Sequence, residues 1–128
     1  MKSAEKKSSV ELVMRLMAVP GKSCEESLIA KAVIEELTFI GVPRSAISFD
    51  AAHKATPKPG QVGNLIVKLP GRRDLPRIML SAHLDTVPIC VGCAPKRRGS
   101  VIVSSNPNTG LGGDDRAGVG AVIAALKG

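Results

Sequence analysis

The sequence predicts an α/β sandwich, in which helices cover both faces of a central sheet. Two observations support this prediction. Segments with helical periodicity alternate with short apolar runs typical of strands, and the run at 78–82 contains no charge. Strands buried on both faces have such runs, because neither face can hold a charged side chain. The chain has 128 residues, close to the commonest domain size, so one domain or part of one is expected.

Three segments have the apolar spacing of helices that bury one face. The first spans residues 3–18. The second follows Ser23, which forms a capping-box pattern with Glu26, and extends to about Gly41. The third, at 117–126, is rich in glycine and alanine, which allow a helix to pack closely on a sheet.

Four short segments favour strands because they are apolar and are bounded by residues typical of turns. These segments are 46–50, 62–69, 78–82 and 101–104.

The apolar run at 78–82 is followed by an imidazole and a carboxylate two positions apart, His83 and Asp85. Side chains two apart in a strand lie on the same face, and α/β sheets hold their ligands beyond the strand ends. A ring nitrogen of His83 can bind a metal while Asp85 orients the ring. Considered alone, the pair is more typical of a solvated strand end than of a metal site.

A glycine-rich turn at 109–113 leads to two adjacent carboxylates, Asp114 and Asp115, at the start of the last helix. Either carboxylate fits the N-cap of that helix. Either can instead bridge two cations, since a carboxylate has two oxygens and a negative charge. The residues alone leave both interpretations open.

Taken together, the two stretches resemble a known family. Residues 81–88, SAHLDTVP, and 111–118, LGGDDRAG, are similar to the first two metal-binding motifs of the co-catalytic zinc exopeptidases. That family includes peptidase T, the glutamate carboxypeptidases, the aminoacylases and succinyl-diaminopimelate desuccinylase. The GDDRAG motif at 113–118 is most similar to that of the peptidase T-like tripeptide aminopeptidases. Two motifs in the expected order are more specific than either alone.

The resemblance implies a role for each matching residue. His83 is implied as a ligand of one zinc, Asp85 as the residue that orients it, and Asp114 as the carboxylate that bridges two zinc ions. Co²⁺ or Mn²⁺ are alternative metals. The resemblance also implies a three-layer sandwich with a mixed central sheet, and a cis peptide between Asp114 and Asp115. Arg116 stands where relatives often have lysine.

The family's general base and remaining metal ligands have no counterpart before Gly128. Residues 1–128 are therefore expected to be the N-terminal part of a zinc exopeptidase catalytic domain, inactive by itself. The implied reaction is hydrolysis of an amide bond in a short peptide, as by a tripeptide aminopeptidase. A carboxypeptidase or N-acyl amino acid deacylase of the same family is an alternative. A non-catalytic binding or assembly module that retains the fold is another.

The net charge of +7 raises the question of nucleic acid. The basic residues are spread along the chain, and Phe39 and Phe49 are its only aromatic side chains for stacking on bases. The expected partner is a short peptide, not nucleic acid. No apolar stretch has the length of a membrane span or signal peptide, so no membrane partner and a cytoplasmic location are expected. Homodimerisation of the full-length protein is left open.

Three cysteines, Cys24, Cys90 and Cys93, fit a reducing compartment. The Cys-x-x-Cys at 90–93 lacks the second pair that a structural zinc ribbon needs. Flanking prolines predict a loop there, whereas a thioredoxin-like motif opens a helix. Two ordinary thiols beside the predicted metal loop are therefore expected.

Overall fold

The computed structural model describes residues 3–127, which form three α-helices and four short strands. The helices are α1 (Ser3–Ala18), α2 (Ser27–Phe39) and α3 (Gly113–Ala125). The strands are β1 (Ile47–Phe49), β2 (Leu65–Val67), β3 (Pro95–Arg98) and β4 (Val101–Ser104). No helix in this part of the chain is long and apolar enough to cross a membrane.

The core lies where the three helices meet and is built entirely from aliphatic side chains. Its buried members are Leu12, Leu16, Ile29, Val33, Leu37, Val42, Val119 and Ile123. Burying each such side chain contributes about 1.5–3 kcal/mol, so this cluster holds the helices together.

The end of α2 is fixed by backbone hydrogen bonds that satisfy its last carbonyl groups. The Gly41 N–H donates to the Thr38 carbonyl and the Val42 N–H donates to the Leu37 carbonyl, both at 3.0 Å. This pair of bonds is the Schellman motif, which places an apolar residue against the last turn. Val42 and Leu37 are accordingly both in the core.

The strands form two separate antiparallel sheets, each of two strands. β1 pairs with β2, with Ser48 opposite Ile66, and β3 pairs with β4, with Arg97 opposite Ile102. Three predicted strands are confirmed at their centres as β1, β2 and β4. The sequence did not predict β3, because the strand reads PKRR, which is charged, and residues 96–98 are exposed. A single central sheet is not present in the described residues.

The predicted buried strand at 78–82 is wrong. The backbone there forms no strand and, among the described residues, no backbone hydrogen bond. Ile78 is 84% exposed and Met79 is 87% exposed. A strand needs a neighbour for its backbone groups, and no described strand lies against this segment. The run is as apolar as a buried strand, but among residues 3–127 no strand pairs with it.

A cleft of about 1220 Å³ separates this exposed segment from β2. Two extended stretches line it, 62–69 and 78–85, together with apolar side chains of α2 and α3 such as Val33 and Val119. β2 pairs with β1 at one edge only. The cleft therefore has unpaired backbone on both sides and an apolar surface between them.

Candidate functional site

The turn before α3 determines where Asp114 points. Gly112 has φ +73°, a left-handed conformation that favours glycine. Asp114 and Asp115 have non-helical backbone angles, and the peptide between them is cis, as the resemblance implies. The regular helix begins after them, and the Asp114 side chain is 94% exposed. Asp114 is thus free to interact outside its own helix.

The two adjacent carboxylates have different roles. Asp115 Oδ1 accepts the N–H of Gly118 at 3.0 Å, the bond that an N-cap makes to the first turn. Asp114 makes no such bond and instead contacts His83. The cap and the candidate ligand, which the sequence left as alternatives, are therefore separate residues.

His83 and Asp114 lie together although they are 31 positions apart. His83 Nε2 is 2.9 Å from Asp114 Oδ1. On the other side of the ring, Nδ1 is 3.0 Å from the Asp85 carbonyl oxygen and 3.2 Å from Asp85 Oδ1. Both ring nitrogens therefore face oxygen acceptors, an arrangement that suits the doubly protonated imidazolium.

The surroundings of His83 change its affinity for a proton. Partial burial lowers the pKa of the ring, but the hydrogen bonds to Asp114 and Asp85 and the charges of both carboxylates raise it by more. The net shift of the His83 pKa is upward from its usual 6.5. The site consequently favours the protonated, positively charged form of the His83 ring.

Asp85 is held by Ser23, for which the sequence predicts a different role. The Ser23 hydroxyl donates a hydrogen bond to Asp85 Oδ2. The backbone supports this contact, because the Ser23 N–H donates to the Thr86 carbonyl and the Thr86 N–H donates to the Gly21 carbonyl. The loop after α1 thereby fixes the carboxylate that contacts His83 Nδ1.

The predicted capping box at Ser23 is therefore wrong. α2 begins at Ser27, and Glu26 at its N-cap makes no side-chain bond to the helix. The Glu26 carboxylate accepts the Cys24 N–H instead. No local pattern signals the Ser23–Asp85 contact, because the two residues are 62 positions apart.

Arg116 places a buried cation near the site. It is 1% exposed, and its Nη2 donates to the Val19 carbonyl at 3.3 Å. Its Nε and Nη1 have no partner among the described residues. Burial lowers the pKa of Arg116 to about 10, although the charges of Asp85 and Cys90 oppose the shift. Arg116 thus stays charged at neutral pH and attracts the Asp85 carboxylate.

The donors present fit part of a zinc site. Imidazole nitrogen and carboxylate oxygen are ligands that zinc uses, and a catalytic zinc normally has three protein ligands. His83 and Asp114 supply two, and no group of three or more histidine, cysteine, aspartate or glutamate residues lies suitably placed among residues 3–127. The described residues can therefore hold one side of a metal centre.

Comparison with known proteins gives matches at the level of structure. No protein-family profile matches this sequence, and no curated protein matches it significantly. The chain is similar to the crystal structure of a tripeptidase from Staphylococcus aureus, with 24% identity and a TM-score of 0.81. It is also similar to the aminopeptidase PepT from Bacillus cereus, with 28% identity and a TM-score of 0.77.

Both alignments cover 95% of this chain and 31% of the solved one. The chain therefore spans less than a third of the length of these peptidases. The likeness places it in an α/β fold.

Proposed function

We propose that this chain is the N-terminal part of a catalytic domain that hydrolyses amide bonds in short peptides with the help of bound metal ions, as a tripeptide aminopeptidase. The observation that carries the proposal is the contact between His83 Nε2 and Asp114 Oδ1 at 2.9 Å. The likeness to a tripeptidase and to an aminopeptidase supports the choice of substrate class. The complete domain is proposed to be a three-layer sandwich with a mixed central sheet.

In this proposal the chain's own residues hold and orient the metal. His83 and Asp114 would hold the zinc ions, His83 with its imidazole and Asp114 with its carboxylate. Asp85 accepts the Nδ1–H of His83, which fixes the tautomer and raises the basicity of the ligand. Ser23 and the charge of Arg116 keep Asp85 in place. Bound metal ions polarise the amide carbonyl and lower the pKa of a bound water.

The open cleft supports the proposal that more of the domain follows. Unpaired backbone at β2 and at 78–82 faces an apolar cleft, an arrangement that folded domains normally cover. The cleft reaches His83 and Asp85, which are among its lining residues. Polypeptide beyond residue 128 is proposed to fill the cleft and to supply the general base and the other ligands.

The test is tripeptide hydrolysis with added zinc, measured for the 128-residue chain and for a chain extended to the length of the matched peptidases. The short chain should show no turnover, because lacking a general base alone typically costs about a hundredfold to ten-thousandfold in rate. The extended chain should be active and should lose its activity to a chelator.

Variants of the extended chain test the assigned roles. Asp114→Ala should abolish activity, and Asp85→Asn should reduce it by about tenfold to a hundredfold. Asp74→Asn is the matched control, because Asp74 pairs with Arg72 away from the cleft. Chelator-sensitive turnover by the 128-residue chain, or full activity of Asp114→Ala, would contradict the proposal. Activity only on N-acylated amino acids would indicate a deacylase instead.

A further inference from the structure

The Cys-x-x-Cys segment forms a tight turn. The Cys93 N–H donates to the Cys90 carbonyl at 3.1 Å. Val91 has φ −66° and ψ 127°, and Gly92 has φ +85°, as in a type II β-turn, whose third position favours glycine. Such a turn brings its first and fourth Cα atoms to within about 7 Å, and disulfides span about 4.4–6.8 Å between Cα atoms. The turn therefore brings the two cysteines to about the separation that a disulfide spans.

Both thiols lie against the same three-residue segment, 110–112. The Cys93 thiol donates to the Leu111 carbonyl at 3.4 Å. The Cys90 sulfur is 3.1 Å from the position that a Cβ atom on Gly110 would occupy, and 3.7 Å from that position on Gly112. The two sulfurs therefore both face the segment 110–112.

We propose that Cys90 and Cys93 form an oxidisable dithiol that small disulfides, such as oxidised glutathione, convert reversibly into an intrachain disulfide. The thiolate of Cys90 attacks one sulfur of oxidised glutathione, whose S–S bond breaks and releases one glutathione. The thiolate of Cys93 then attacks the Cys90 sulfur and displaces the second glutathione. Two protein thiols and one oxidised glutathione thus give one protein disulfide and two reduced glutathione molecules.

The order of attack follows from the exposure of the two cysteines. Cys90 is half-buried and is accessible to glutathione, whereas Cys93 is buried and is therefore the second thiol to react. Cys24 is partly exposed as well, but its thiol donates to the Lys58 carbonyl in a separate loop. Cys24 therefore has no part in the disulfide.

Formation of the disulfide also changes the support of the turn before α3. In the disulfide the Cys93 sulfur no longer carries a hydrogen, so it cannot donate to the Leu111 carbonyl. The Gly110 N–H, which donates to the Ile89 carbonyl at 3.0 Å, belongs to the same contact region. This proposal concerns the thiols alone and does not depend on the proposed peptidase activity.

The experiment equilibrates the purified chain with glutathione mixtures from cytosolic to strongly oxidising ratios. Free thiols are then alkylated, and the protein is digested with trypsin. Peptide 78–96 carries both Cys90 and Cys93, and peptide 23–31 carries Cys24. Peptide 78–96 should carry no alkyl groups after oxidation. Its mass should be two hydrogen atoms below that of the same peptide with two free thiols. Peptide 23–31 should remain alkylated, and dithiothreitol should restore both thiols.

Matched variants decide between this disulfide and simple glutathionylation. Cys24→Ser should form the disulfide as the wild type does. Cys93→Ser should instead retain glutathione on Cys90, because the second attack is lost. The proposal is overturned if Cys90 and Cys93 stay alkylated in the most oxidising mixture. It is also overturned if wild-type Cys90 accumulates glutathione without closing, or if Cys24 is the partner.

Discussion

Protonation of His83 is favoured by the two carboxylates that contact it, Asp85 and Asp114. Its folded-state pKa lies above the unfolded value of about 6.5, because the contacts with Asp114 and Asp85 outweigh partial burial. A group whose pKa is higher in the folded state stabilises that state. This stabilisation is fully present below the pKa of the unfolded state and is lost as pH rises through the pKa of the folded state. A metal ligand must be the neutral ring, so at the proposed metal site protonation of His83 opposes metal binding.

The coupling predicts the titration of His83 in the metal-free chain. NMR of the ring protons, assigned with a His53→Gln variant, should give a His83 pKa above about 6.5. Asp114→Asn should lower this pKa, since the amide removes the charge that favours the imidazolium. Asp74→Asn should leave it unchanged. A wild-type His83 pKa below 6.5, or one that Asp114→Asn does not change, would show that the 2.9 Å contact does not persist in solution.

The residues of the candidate site differ in how far the sequence predicts them. His83 and Asp85 are two positions apart and lie side by side as strand alternation predicts, although the strand itself does not form at 78–82. The nearness of Asp114 follows only from resemblance to a known family, because no local rule connects positions 31 apart. Ser23 could not be predicted at all, and its local pattern favoured a different role. Contacts between distant loops depend on the whole fold, which short-range spacing does not encode.

Helices are predicted here better than strands for a physical reason. The hydrogen bonds of a helix join residues four apart, so the sequence of α1, bounded correctly at 3–18, contains everything needed to form it. A strand needs a partner from elsewhere in the chain. The apolar run at 78–82 has the composition of a buried strand, yet no strand pairs with it in the described residues, and Ile78, Met79 and Leu80 are exposed.

Hydrogen–deuterium exchange should reveal this difference between elements. Amides of residues 78–82 should exchange nearly as fast as those of an unfolded peptide, since they donate no backbone hydrogen bond in the described structure. Amides in the centre of α2, at 30–37, should be strongly protected. Protection at 78–82 equal to that of α2, at protein concentrations where the chain is monomeric, would contradict the open edge.

At the scale of the whole molecule, two opposing features control solubility. The net charge of +7 makes copies of the chain repel one another. The cleft exposes Ile78 and Met79 almost completely, and its backbone edges are unpaired. Exposed apolar surface beside a free strand edge favours pairing between chains. Salt screens the repulsion over about 8–10 Å at moderate ionic strength and leaves the apolar attraction in place.

We therefore expect the chain to self-associate through the cleft, more strongly as salt is raised. Sedimentation velocity should show larger species with increasing concentration, and a dye that binds apolar surface should fluoresce. Met79→Lys should reduce both signals, because it puts a charge in the contact region. Phe39→Lys is the matched control, since Phe39 is equally exposed but does not line the cleft. If both variants lose association equally, the loss is due to the change in net charge alone. Weaker association at high salt would rule out the apolar contact.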